Sequence, residues 1–467
     1  VNDLISELEV VLGDGLITDD TQRAQRARDT WMRSEMEFEA GHLEIPIVVA
    51  APADTDEMSR VVRICRERGV KMIPRGGGSG VVGGVLASSD SVVISTERMT
   101  GLKSLDSHNL LATFAAGTNG YEAEMMMQAE GLTIGNWPQS IEVSTVGGWV
   151  ATRASGQYST AYGNTEDIIH SLEAVLPDGS IYRSRSTPRA SAGPDLRHLF
   201  LGGEGIMGVV TEVTFSLRPL PEPGIRQAFQ FADFAAGLEA IREVIRAGWR
   251  PPVVRLYDGR ESWRHFKEKL PKGNCMLIFL HEGPPGLAEL QAAAAEKVCA
   301  SHGGTAVDAE VVDAWFDSRN TVPSWEELLD QGVLADTIEV ATDWSSLPAL
   351  YSAVTDAITA VPGVIAATAH TSHSYRSGAN LYFTFAAMPA ERSDFVSTYD
   401  RCWQVAMEAA ASVGAGLAHH HGVGRVRRDW MREELGETGV ALLRSIKNTL
   451  DPDNLMNPGV LLGDDPR

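Results

Sequence analysis

The sequence predicts an α+β protein of two domains. Three observations carry this. A compact β-α-β unit near the start runs straight into a glycine-rich loop. The stretch Pro219-Leu-Pro-Glu-Pro-Gly224 is the clearest linker in the chain. Beyond it the pattern changes to helices alternating with strands. The 467 residues suffice for two or three ordinary domains and for a core that needs no disulfide or metal staple. The expected partition is a helical preamble over 1–42, a first domain over 43–219, a second over 220–424, and a segment over 425–467 that returns to the first.

In chain order, Val1 to about His42 reads as helical, with Leu4, Ile5, Leu8 and Leu12 apolar. Ile45–Ala50 is a short apolar strand, broken at Pro52. A helix opens at Thr55, with Met58, Val61, Val62 and Cys65 on one face. Gly69 stops it, and Val70–Pro74 is the next strand. Ser91–Ser95 and Leu111–Ala116 are further strands, and Thr211–Leu217 alternates with the period of a half-buried one. After the linker, helices are expected over 235–247, 287–301, 345–359 and 395–412. Strands are expected at Val253–Tyr257, Met276–His281 and Leu381–Phe385. The tail from Asp429 to Leu462 is helix followed by Asp451-Pro-Asp-Asn-Leu-Met-Asn-Pro-Gly459.

Charge and cysteine usage exclude several classes. Lys and Arg total 40 against 62 Asp and Glu, a formal charge of −22. So acidic a body repels nucleic acid and anionic lipid, yet leaves room for a local basic pocket. Cys65, Cys275, Cys299 and Cys402 lie far apart, with no CxxC pair, which argues for reduced thiols rather than a zinc ribbon. No apolar run of about 18 residues and no signal-peptide pattern is present, so a cytoplasmic protein without a transmembrane segment is expected.

Residues 75–84 hold six glycines in ten positions. Such a loop lets backbone N–H groups turn inward and form a nest for anionic oxygens. It is neither a Walker loop nor a dinucleotide fingerprint, because no Gly-Lys-Ser/Thr follows and no amphipathic helix opens from it. Alone it reads equally as a surface turn or a phosphate site. Two further clusters, Ser144–Gly156 and Leu201–Thr211, favour a long ligand lying across several loops.

These residues resemble the vanillyl-alcohol-oxidase superfamily of flavoproteins, whose FAD domain is of the p-cresol methylhydroxylase type. Pro74, Arg75, Gly76, Gly77, Gly78, Ser79 and Gly80 match its pyrophosphate loop. Pro138, Ser144, Thr145, Gly147, Gly148, Thr152, Ala154, Ser155 and Gly156 match a second FAD-contacting segment. Glu204, Gly205, Gly208, Val209 and Val210 match a third, with Glu204 read as fixing its glycine loop. Asp451-Pro…Met456-Asn-Pro-Gly459 is the usual ending. The resemblance implies a two-lobed FAD-binding domain plus an α/β cap over the flavin ring. With no histidine between Arg75 and Leu86, non-covalent FAD is expected.

Within that superfamily, three segments resemble alkyl-dihydroxyacetone-phosphate synthases: Ser144–Val150 with Thr152–Gly156, His419-His-His-Gly-Val-Gly424, and Tyr375-Arg-Ser-Gly-Ala-Asn-Leu-Tyr382. Related D-lactate and glycolate dehydrogenases carry two metal-binding histidines where this chain has Tyr375 and Tyr382, and a glutamate where it has His420. No catalytic metal is therefore expected. The synthases also carry an arginine eight residues before a Val-Leu pair. Here the pair is Val333-Leu334, the slot holds Trp325, and the nearest upstream arginine is Arg319.

The resemblance implies ether-lipid precursor formation, with fatty acid exchanged for fatty alcohol on a carbon held by the flavin. The alternative is an FAD-dependent oxidase or dehydrogenase of an alcohol or 2-hydroxy acid. Trp325 favours the alternative. A third reading is a flavin-binding scaffold without activity. Tyr382 is the expected acid/base, its phenol lowered by nearby cations. Otherwise it is a packed strand residue. His420 and His421 are expected at substrate or flavin, and His419 is expected to be structural, because neighbours on an extended chain point to opposite faces. Arg255 matches a family arginine near the cofactor. His370 and His373 are expected to be local or solvent-facing, and Arg427 and Arg428 to be solvated. The partner is a small molecule, lipid-like in the synthase reading, and a homodimer is expected.

Overall fold

The computed structural model describes residues 1–321 and 324–463. The chain forms two compact units. The first holds Val1–Ser155, Asn164–Pro219 and His420–Arg467, and the second holds Gly156–Gly163 and Leu220–His419. The chain thus leaves the first unit for eight residues at Gly156 and returns to it at His420. Of the expected cofactor-binding residues Gly156 lies in the second unit, and of the expected catalytic residues His420 and His421 lie in the first.

The first unit contains two main sheets. In one, Val48–Ala50, Ser91–Ser95 and Lys71–Arg75 pair in parallel, and Leu16–Ile17 adds an antiparallel edge. The helix Thr55–Glu67 is the crossover between the first and third of these chain segments. Asp54 caps it, accepting the Glu57 N–H at 2.8 Å. The first 42 residues do not stand apart as a preamble. Leu4, Leu8 and Leu12 are buried in one cluster with Met58, Val61, Val62 and Cys65. The other sheet is antiparallel, in the order Leu102–Asp106, Leu111–Ala115, Val209–Ser216, Ile169–Val175, Ile181–Arg183.

The C-terminal helix Met431–Leu450 ends on a buried Lys447–Asp451 ion pair. Lys447 also donates to the carbonyls of Ile206 (2.9 Å) and Met456 (2.7 Å), which pins the terminal segment beside the Glu204 loop. Buried charge persists here because every donor of the ammonium is engaged.

The second unit is one seven-stranded sheet, antiparallel throughout. Its order is Thr305–Val307, Ile225–Phe231, Cys275–His281, Val253–Tyr257, Val364–Thr371, Gly378–Ala387, Leu334–Asp343. Helices and strands alternate along the sequence as expected, yet among the described residues no strand pair of this sheet is parallel. Helix Phe234–Arg246 lies close on one face: a Cβ on Gly237 would sit 2.7 Å from Leu256. Val253, Tyr257, Met276 and Ile278 form a second apolar cluster with Val311, Val312 and Trp315 of helix Glu310–Ser318. Among the described residues no helix is long and apolar enough to cross a membrane.

Candidate functional site

In the first unit the site is built from backbone. Strand Lys71–Arg75 delivers the chain into Gly76–Gly80. The five N–H groups of Gly76, Gly77, Gly78, Ser79 and Gly80 have no acceptor among the described residues. Arg75 bends back onto its own loop, donating to Gly76 O (3.2 Å) and Gly77 O (3.3 Å), and its buried Nε has no partner. Close approach explains the glycines. A Cβ on Gly77 would lie 2.1 Å from the carbonyl oxygen of Val143, and one on Gly76 would lie 2.5 Å from Thr145 Oγ1. Only Gly78 of these three has positive φ, at +71°. The second glycine-rich segment is thus what the first packs on.

That second segment is held by its own side chains. Pro138 O accepts from the N–H of Ile141 in the turn that leads to Ser144. Ser144 Oγ accepts from Trp149 Nε1 at 2.9 Å, and Thr145 caps helix Val146–Thr152 by accepting from Gly148 N–H. Gly147 lets this helix sit on Ala116, 2.7 Å from where its Cβ would be. Thr152 Oγ1 returns to Gly148 O, the Ala154 carbonyl accepts from Thr165, and Ser155 donates to Asn164.

The third segment closes the cradle. Gly205 lies against Pro74, and Gly208 against the Val175 carbonyl, just before Val209 and Val210 enter their strand. Glu204 adopts φ +44° and is buried. Its carboxylate accepts the N–H groups of Val423 (2.6 Å) and Gly424 (2.7 Å). Burial pushes its pKa up to about 7, although these two N–H groups pull the other way. Asp29, accepting from Trp31 N–H and Val85 N–H, is likewise raised by burial to about 7. A loop with unused N–H donors, a buried guanidinium nitrogen without a partner and room only for glycine fits the diphosphate of FAD.

In the second unit the site is built from side chains. One line of partners crosses four strands: Tyr257 faces His370, His370 faces Tyr382, and Tyr382 faces Glu339. The His370 and Tyr382 rings stack at 4.7 Å. Tyr382 donates to Thr337 Oγ1 at 3.1 Å. Burial pushes its pKa up, and Glu339 and Asp336 add to the rise despite Arg255. The phenol is therefore not lowered as the sequence suggested: it stays protonated at neutral pH and can act as a donor but not as a base. Arg255 Nη2 lies 2.7 Å from His370 Nε2.

A second cluster in this unit joins Ser159, His373, His419 and Tyr375. Ser159 Oγ is 2.6 Å from His373 Nδ1, the His373 and His419 rings are 4.9 Å apart, and Tyr375 Oη is 2.7 Å from His419 Nε2. Asn380 sets this turn, its side-chain oxygen accepting from the N–H groups of Ser372 and His373.

Several expectations are corrected by these positions. His370 and His373 are buried, not solvent-facing. His420 and His421 stack edge to face on each other, 4.5 Å apart. Arg427 is buried, donating to the Gly422 carbonyl at 2.6 Å, although it stands at the start of the short helix Arg428–Trp430 as expected. Trp325 opens helix Trp325–Asp330, and positions 322 and 323 lie outside the described residues. Arg319 packs over Phe316 at 4.6 Å and donates to the Tyr158 hydroxyl at 2.6 Å. Ser159 and Asn380 were not expected in this cluster, because nothing local in the sequence marks them.

Comparisons with known proteins give the family. A family model described as an FAD binding domain matches residues 46–185, and one described as the C-terminal domain of FAD linked oxidases matches 220–461. An uncharacterized FAD-linked oxidoreductase of Escherichia coli (strain K12) is 32% identical over 476 residues, spanning 98% of each chain. The alkyldihydroxyacetonephosphate synthase of Dictyostelium discoideum is 28% identical over 451 residues, 89% of this chain and 73% of that one. A solved alkyldihydroxyacetonephosphate synthase structure shares the fold with a TM-score of 0.81 at 24% identity, covering 98% of this chain and 84% of that one. With both halves matched and a full-length relative, the chain belongs to the family of FAD-linked oxidases, and its cofactor is FAD.

Proposed function

We propose that the chain is a flavoenzyme of the alkyldihydroxyacetonephosphate synthase type, exchanging an acyl for an alkyl group on a small phosphate-bearing substrate. The observation that carries this reading is a pair of guanidinium groups sharing one aromatic ring. Arg255 and Arg319 lie 5.5 and 5.8 Å from the centre of Trp315. The slot held by Trp325 therefore does not leave this unit without a second cation. Two guanidiniums beside apolar rings suit an anionic group attached to an apolar chain.

Bound FAD supplies an electron-accepting ring, and Gly76–Gly80 with Arg75 hold its diphosphate. The protein's own groups then bind the anion and move protons. Arg255 and Arg319 bind. Tyr382, held protonated, donates from its hydroxyl. The Tyr375–His419 pair can pass a proton between phenol and imidazole, and Ser159 holds the neighbouring His373.

A second reading is an FAD-dependent oxidoreductase of an alcohol or 2-hydroxy acid. Trp325 and the full-length oxidoreductase relative favour it. In that reading a protonated Tyr382 cannot take the substrate's hydroxyl proton, so an imidazole, His421, must. Anaerobic mixing separates the two. Exchange of acyl for alkyl product without net bleaching of the visible flavin band supports the synthase. Bleaching by an alcohol or hydroxy acid alone supports the oxidoreductase. No spectral or chemical response to either class overturns both.

A further inference from the structure

Helix Gly259–Phe266 begins directly after strand Val253–Tyr257, and Asp258 sets the junction. Its carboxylate caps the helix, accepting the N–H groups of Arg260 (3.0 Å) and Glu261 (2.8 Å). Its other oxygen accepts the N–H of Ala369 at 2.7 Å. One side chain thereby ties the first turn of the helix to the strand residue just before His370. Glu261 and His370 are brought together, and both are buried. Glu261 Oε1 lies 3.0 Å from His370 Nδ1. It also lies 3.2 Å from Arg264 on the same helix. On the far side of the ring, His370 Nε2 lies 2.7 Å from Arg255 Nη2.

Donor and acceptor roles in this chain are settled by elementary chemistry. A guanidinium nitrogen can only donate. His370 Nε2 must then carry the lone pair, and Nδ1 must carry the proton, which it donates to Glu261. Were Nε2 protonated, two donors would face each other at 2.7 Å.

We propose that Glu261 and His370 are positioning residues: Glu261 selects the Nδ1–H tautomer of His370, and the Nε2 lone pair so presented holds the Arg255 guanidinium in a fixed orientation. This rests on the reading in which Arg255 binds the substrate's anionic group. The ring stack of His370 on Tyr382 makes the same imidazole the neighbour of the proposed proton donor. The arrangement follows the logic by which an outer carboxylate fixes a histidine tautomer so that its other nitrogen serves a functional group.

The test has two arms. In the first, wild-type holoprotein carrying 15N-labelled histidine is examined by two-bond 15N–1H correlation. His370 is assigned from its loss in His370→Gln. The expected pattern is a protonated Nδ1 and an unprotonated Nε2, with the preference lost in Glu261→Leu. A Nε2–H tautomer or a doubly protonated ring in wild type overturns the proposal.

In the second arm, His370→Phe keeps the stack on Tyr382 and removes both nitrogen contacts. Its kcat/KM should fall about 10- to 100-fold, the usual scale for outer partners that orient a functional group. His370→Gln places an amide oxygen near the Nε2 position and should recover most of that loss, with flavin content and melting temperature alike in the two variants. Wild-type turnover in His370→Phe, or no recovery in His370→Gln, overturns the proposal. If His370→Phe does not fold, the wild-type tautomer decides alone. Failure of the functional reading looks different: wild-type protein turns over no substrate, while the histidine spectrum still reports the tautomer.

Discussion

The glycine cradle of the first unit and the sheet face of the second solve opposite problems. The cradle presents backbone. Its ligand-facing groups are N–H donors, and its side chains are absent where Val143 and Thr145 approach Gly77 and Gly76. The sheet face presents side chains. Arg255, His370 and Tyr382 come from three strands, and Glu261 comes from a helix. A diphosphate is the same in every FAD, so backbone suffices to hold it. A substrate differs between relatives, and side chains can be exchanged without disturbing the strands that carry them. The two regions should therefore respond differently to substitution.

The largest expected effect is in the cradle. Gly77→Val places a branched side chain where even a Cβ would be 2.1 Å from a backbone oxygen. The loop cannot keep its shape, and the purified protein should be colourless. A yellow Gly77→Val protein with full FAD content would show that the loop is not the diphosphate site. Since no histidine lies between Arg75 and Leu86, acid precipitation of the wild type should release all flavin into the supernatant.

On the sheet face, Tyr382→Phe keeps the ring stacked on His370 and removes one hydroxyl. Turnover should fall about 10²–10⁴-fold, the usual worth of general acid–base catalysis, with flavin content unchanged. Near-normal turnover would make Tyr382 a packing residue and move proton donation to the Tyr375–His419 pair. Loss of FAD on this substitution would erase the distinction between the two regions.

Glu204 offers a test by pH. Its carboxyl is raised from 4.5 to about 7 in the folded protein, so the fold holds this proton more tightly than the unfolded chain does. Its contribution to stability is then full below about pH 4.5 and falls as pH rises to about 7. At about 1.4 kcal/mol per pH unit, the fall amounts to roughly 3 kcal/mol. Urea unfolding at pH 5 and pH 8 should show a smaller difference for Glu204→Gln than for wild type. Equal differences would mean that the carboxyl titrates normally in the folded state. Asp29 keeps its own share of the slope in both proteins.

The smallest effect is expected at Thr337→Val, which removes the acceptor of the Tyr382 hydroxyl and little else. A loss of about 0.5–1.5 kcal/mol in stability is expected, with flavin content intact. A larger loss would show that Thr337 belongs to a wider polar network than its one bond to Tyr382.

Much of the first unit was legible in the chain. The β-α-β unit, the glycine loop and the terminal Asp451–Gly459 segment each carry a local signal, because turn chemistry and close approach demand particular residues at adjacent positions. Helices were legible where an apolar face repeats, as in Phe234–Arg246 and Phe395–Ser412. Strands Ile169–Val175, Ile225–Phe231, Leu334–Asp343 and Val364–Thr371 were passed over. Ile169–Val175 and Val364–Thr371 are interrupted by His170 and His370, and Leu334–Asp343 by Asp336 and Glu339. Such polar residues inside a strand blur the alternation by which it is read.

By itself the sequence pointed to FAD and to a glycine-rich loop as a place for its diphosphate, because a cradle of backbone donors needs glycines in consecutive positions and consecutive positions are what a sequence displays. It marked Tyr375, Tyr382 and the His419–His421 run as candidates through their resemblance to a family pattern. Only the tertiary structure decided the protonation of Tyr382 and the partners of the rest. Burial raises Tyr382 where neighbouring cations were expected to lower it. The His419 ring meets the Tyr375 hydroxyl. His370 joins Glu261 and Arg255 across gaps of more than a hundred residues. A pKa is set by the dielectric and the charges around a group, and a hydrogen bond by angles and ångströms, and both depend on which strands become neighbours in the sheet.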